Sequence, residues 1–152
     1  MKRIICAVLV LVLALSLVAC SPREVISAEE FVSRMEGAGH TVEDFTSLLG
    51  GDDSGATAAF IADCGAFETE FFVFETEAQA QAIYNQIQRE FENMRGNVSS
   101  HTEVNVSNYS RFRQTSDGMF KVVSRVENTM VVVVTDSDNQ SDVDAVLDLL
   151  GY

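Results

Sequence analysis

With 152 residues and a formal charge of −13, this chain is long enough for one domain with a real core and too short for two comfortable ones. Its acidity repels nucleic acid phosphates and anionic lipid headgroups alike, which sets nucleic-acid binding aside. Three cysteines and two histidines, none in a metal-binding spacing, supply neither a disulfide framework nor a zinc motif.

The chain opens Met1-Lys2-Arg3 and then runs apolar from Ile4 to Ala19, interrupted only by Ser16. A membrane-spanning helix needs about 20 apolar residues. This run is shorter, and its order of charged start, apolar middle and small residue near the end is that of a secretory signal. An uncleaved anchor is the alternative reading. The run closes on Leu17-Val18-Ala19-Cys20, which resembles the lipobox of bacterial lipoprotein signal peptides. That resemblance implies a diacylglycerol on the Cys20 thiol, cleavage between Ala19 and Cys20, and Cys20 as the new N-terminus. Two or more acyl chains hold a protein stably on a bilayer, so a lipid would replace a helix as the anchor. The division expected is a signal peptide over 1–19, a short tether over 20–26 and a single domain over 27–152. Loss of Lys2 and Arg3 takes the formal charge from −13 to −15. With Cys6 gone and Cys20 acylated, Cys64 is left alone. In its apolar setting it reads as a small buried hydrophobe rather than a nucleophile.

Ser27-x-x-Glu30 reads as a capping box, with Ile26 and Phe31 placed as a hydrophobic staple. Phe31 and Met35 recur four apart, and Gly37 and Gly39 end that helix. Residues 40–46 alternate as a short strand, and the Gly- and Asp-rich 48–57 is a loop. Residues 57–75 read as two strands around a turn at Asp63-Cys64-Gly65. In the second, Phe67, Thr69, Phe71 and Val73 share one face and Glu68, Glu70, Phe72 and Phe74 the other. Thr76-x-x-Gln79 is a second capping box, followed by the stripe Ala80, Ile83, Tyr84, Ile87, Phe91 and Met94. Val104 and Val106 hint at an edge strand. "YSRFRQ", "MFKVVSRV" and "TMVVVVT" read as hairpin strands, and Val131–Val134 as a central strand buried on both sides. The closing helix puts Val143, Val146, Leu147 and Leu150 on one face, with acids at its start, where they suit the helix dipole. The expected fold is α+β: an antiparallel sheet of about six strands with three helices packed on one face. The order αβββα then βββα admits an internal duplication.

Asp136, Asp138 and Asp142 have a calcium-loop-like spacing, but the turn glycine is missing and Leu147 stands where a bidentate Glu belongs. An acidic helix start explains the same residues, and no metal is expected. Arg111, Arg113, Lys121 and Arg125, with Tyr109 nearby, crowd into one stretch. Across a hairpin turning at Asp117-Gly118, Arg111 and Lys121 would oppose each other, which is unfavourable without an anion. One reading is an anion or acidic-partner patch; the other is neutralisation by Glu68, Glu70 or Glu103 on neighbouring strands. No G-x-S-x-G, C-x-x-C or phosphate-cradling glycine loop occurs. Asn97, Asn105, Asn108 and Asn139 head Asn-x-Ser/Thr sequons, which carry weight only in a eukaryotic secretory route.

Beyond the leader, "FVSRMEGAGHTVEDFT", "NYSRFRQ", "VVSRVENTMVVV" and the ending "LGY" are similar to small, uncharacterised lipoproteins of Gram-positive bacteria. That resemblance implies an address and a fold and brings no activity or site residues. The expectation is a lipid-anchored, extracytoplasmic, non-enzymatic module on the outer face of the cytoplasmic membrane. It would bind an unknown protein or small molecule and use no cofactor beyond the covalent lipid on Cys20. A cell-envelope enzyme or enzyme inhibitor is the alternative; a cleft holding His40 or His101 against a Ser or carboxylate would favour it. An apolar groove between helix 77–95 and the sheet would favour small-ligand binding instead.

Overall fold

The computed structural model describes residues 22–49, 55–94 and 96–152. The expected signal segment, with Ala19 and Cys20, lies outside these residues. Three helices, α1 (Ala28–Gly37), α2 (Glu77–Asn93) and α3 (Gln140–Leu150), combine with seven strands. These are β1 (Thr41–Asp44), β2 (Ala56–Asp63), β3 (Glu68–Phe74), β4 (Val98–Val106), β5 (Tyr109–Ser116), β6 (Met119–Val126) and β7 (Thr129–Asp136). They form one antiparallel sheet in the order β1-β2-β3-β7-β6-β5-β4. The α+β class holds, with seven strands where about six were expected. The extra one is β4, nine residues long and exposed from 100 to 106. A solvated edge strand needs little apolar sequence, so only Val104 and Val106 announced it.

Local chemistry sets the element ends as the sequence predicts. Ser27 Oγ accepts the Glu30 N–H at 3.2 Å, and Thr76 Oγ1 accepts the Gln79 N–H at 3.2 Å. Asp117 and Gly118 both have positive φ, 49° and 80°, which suits the tight β5–β6 hairpin. Helix α3 ends on Gly151 at φ 86°, where the Gly151 N–H reaches the Asp148 carbonyl and the Tyr152 N–H the Leu147 carbonyl. That paired closure is the Schellman motif, and it explains the terminal Gly-Tyr.

Strand alternation then builds two cores. Phe71, Phe120, Val122, Val131 and Val133 point to one face, where Phe31 and Met35 of α1 and Val143, Leu147 and Leu150 of α3 cover them. Phe74, Phe112, Val123, Met130 and Val132 point to the other, under Ala80, Tyr84 and Phe91 of α2. The helices therefore do not share one face: α1 and α3 take the first and α2 the second. The cause lies in β6 and β7, which are buried on both sides, β7 with apolar side chains on each, so the pair needs two covers. The strand-then-helix stretches 71–87 and 130–147, the two halves of the duplication the element order admits, send their helices to opposite faces. Strand β7 is the middle strand of the sheet, as its valine run predicts.

Candidate functional site

The sheet register decides the fate of the basic residues. Arg111 pairs with Ser124 and Arg113 with Val122, whereas Lys121 opposes Gln114 and Arg125 opposes Ser110. Arg111 and Arg113 thus lie on the α1/α3 face, and Lys121 and Arg125 on the α2 face. The expected opposition of Arg111 and Lys121 does not occur, because across this two-residue turn odd-numbered positions face even-numbered ones and the two side chains fall on opposite faces. The four cations do not converge on one patch.

Each has its own partner, and the partners come from helices and the chain end rather than from Glu68, Glu70 or Glu103. Arg113 meets Asp144 of α3 at 2.6 Å. Arg125, only 2% exposed, meets Glu77 of α2 at 3.0 Å and the Glu127 carbonyl at 2.8 Å. Arg111 donates to the Tyr152 main-chain oxygen, and burial draws its guanidinium below the usual arginine range. The Lys121 ammonium sits over the Phe91 ring, 5.9 Å from its centroid. Such neutralisation across layers was not legible from strand sequences, since Glu77 and Asp144 lie 48 and 31 residues from their partners.

Tyr109 is the centre of a second cluster. The Arg23 guanidinium lies 4.1 Å from its ring centroid and that of Arg111 5.6 Å. Arg23 also donates to the Gly151 carbonyl at 2.7 Å. The Asn108 amide brackets the Arg23 backbone, accepting its N–H at 3.4 Å and donating to its carbonyl at 2.8 Å. Three residues on, Ile26 is buried in the main core. The N-terminal segment is therefore clamped to the sheet by cation–π, charge-assisted and amide hydrogen bonds.

At the opposite end of the sheet, a cavity of about 270 Å³ is lined by His40, Cys64, Phe67, Asp142, Ala145 and Val146. The sequence could not assemble it: His40 precedes β1, Cys64 and Phe67 belong to the β2–β3 turn, and Asp142 opens α3. The Cys64 sulfur lies 3.8 Å from the Ala62 carbonyl and 3.6 Å from Thr69 Oγ1. Burial pushes its thiol pKa up, so it is held as the neutral thiol and not as a thiolate. Among the described residues no three His, Cys, Asp or Glu side chains are grouped to hold a metal ion. Asp136, Asp138 and Asp142 are exposed around the start of α3. His101 packs on Phe112 of the α2 face, ring centroids 5.2 Å apart, and takes no part in the cavity. A wider, open groove runs along α1 over Val32 and Phe60, flanked by Glu29 and Glu36.

No protein-family model matches the chain, and no curated protein matches it. Among solved structures it is similar to a GTP-binding regulator from Thermotoga maritima, at 18% identity and a TM-score of 0.50. That likeness covers 86% of this chain and 91% of the other, and it is one of fold. The extracellular domain of PknH from Mycobacterium tuberculosis matches with 12% identity and a TM-score of 0.40, over 83% of this chain and 90% of that one.

Proposed function

We propose that this chain is a lipid-anchored, extracytoplasmic bacterial lipoprotein whose α+β domain acts as a non-enzymatic binding or interaction module. The observation that carries the reading is Leu17-Val18-Ala19-Cys20 at the end of an apolar run with a basic start. Cys20 receives the diacylglycerol, and the acyl chains hold the domain at the outer face of the cytoplasmic membrane. Among the described residues no helix is long and apolar enough to cross a membrane.

The cavity at His40, Cys64 and Asp142 supports binding over catalysis. It has apolar walls in Phe67, Ala145 and Val146 and a few polar groups, the usual make-up of a small-ligand site. The thiol in it is tuned away from nucleophilicity. A cell-envelope enzyme or inhibitor is the second reading, favoured by His40 and Asp142 sharing one cavity. The anchor is tested by replacing Cys20 with Ala and following the protein by membrane fractionation. Release from the membrane fraction is expected; an unchanged distribution overturns the anchor.

A further inference from the structure

We propose that the domain stands end-on on the bilayer, resting on the sheet end that carries the 107–108 and 127–128 turns, with the His40–Cys64–Asp142 cavity facing away. The inference rests on lipidation at Cys20 and deepens that reading by assigning the surface that meets the lipid.

The argument is one of reach. Arg23 is fastened to Asn108, to the Tyr109 ring and to the Gly151 carbonyl. Only three peptide units separate it from Cys20, so the Cys20 Cα can lie no further than about 11 Å of extended chain from the Arg23 Cα. A free tether beginning at Ser27 would reach more than twice as far; the clamp at Arg23 is what shortens it. Val126 pairs with both Tyr109 and Thr129, and the Glu127 N–H donates to the Asn108 carbonyl, so both turns sit at the clamped end. The Phe74 N–H donates to the Asn128 carbonyl, which brings the end of β3 there too.

The cavity lies at the other end of the same strands. Glu70 pairs with Val132, so β3 runs from the cavity end, at Phe67, to the clamped end, at Phe74. Helix α3 starts at the cavity with Asp142 and returns to the clamp at Gly151. The strands between are seven or eight residues long, so about 25 Å separates the two ends. A leash about half that length holds one end of the sheet down and leaves the other standing off. Glu24, Glu75 and Glu127 are exposed at or beside the clamped end. Their charge keeps that end from binding anionic headgroups, so contact depends on the acyl chains alone.

The test uses lipidated protein purified from membranes and placed in vesicles whose headgroups carry an acceptor dye. In a Cys64→Ser background, a donor dye sits on Ser107→Cys at the clamped end or on Ala66→Cys at the cavity end; both native side chains are exposed. Energy transfer is expected to be severalfold stronger from position 107 than from position 66. A flexible Gly/Ser insert between Ser21 and Pro22 lengthens the leash without touching the domain, and it should shrink that difference. Equal transfer from both sites in protein that floats with the vesicles, or a difference untouched by the insert, overturns the orientation while the anchor stands. Lipidated protein that fails to float overturns the anchor, and the orientation with it.

Discussion

Cys64 is held between the Ala62 carbonyl and the Thr69 hydroxyl, half-buried in the turn that leads into β3. Desolvation disfavours its thiolate, and the neighbouring Asp63 carboxylate adds to the effect. Alkylation of Cys64 in the folded protein should therefore be slower than that of a free thiol at neutral pH. The rate should keep rising with pH past the ordinary cysteine pKa of about 8.5 instead of levelling off there. A rate profile against pH checks this, and rapid reaction at pH 6 to 7 would favour the enzyme reading over the binding one. Other residues carry their structural reason openly. Gly151 ends α3 because only a residue free to adopt φ 86° closes that helix without strain. Arg125 does not: nothing in "VVSRVEN" tells that its guanidinium is buried against Glu77.

Helix α2 shows how far an element can be read by itself. Its Thr76 cap and its stripe of Ala80, Tyr84 and Phe91 are visible in the sequence, and all three side chains are buried. Which sheet face it covers is not visible, since the central strand β7 is apolar on both sides. Phe91 is buried beneath the Lys121 ammonium, and its backbone carbonyl accepts from Gln114 Nε2 at 2.9 Å. Phe91→Asp loses the ring's packing and puts a carboxylate among apolar atoms, a cost of about 3 kcal/mol or more. The nearby Lys121 offsets part of it, so Phe91→Lys should melt lower still. Thermal denaturation of the two variants measures the order, and wild-type melting of either would refute the seat of α2.

For the molecule as a whole, two phenols link stability to alkaline pH. Burial drives the pKa of Tyr84 and of Tyr152 well above the ordinary tyrosine value. The Tyr84 hydroxyl is buried without a hydrogen-bond partner, and that of Tyr152 donates to Thr129 Oγ1. Raised folded-state values mean that the stabilising contribution is whole below pH 10, where unfolded tyrosines stay neutral, and falls as pH rises above it. Each phenol should cost about 1.4 kcal/mol of folding free energy per pH unit in that range. Urea denaturation between pH 8 and pH 11 reads the slope. Tyr84→Phe should roughly halve it, Tyr152 supplying the rest, and leave stability at pH 7 nearly unchanged, because no hydrogen bond is lost. An unaltered slope would show that this phenol is not shielded from water.

The caps at Ser27 and Thr76, the turn at Asp117-Gly118 and the valine-rich central strand are all short-range patterns. Periodicity and spacing were enough for them, and so was the α+β class that their order implies. The split of the basic residues between two faces, the clamp of Arg23 on Asn108 and the meeting of His40, Cys64 and Asp142 are different in kind. They depend on strand register and on which face each helix covers, and both are settled by burying apolar surface over the whole sheet at once. Contacts between residues 85 or 128 positions apart leave no trace in local spacing, so only the folded molecule could assign them.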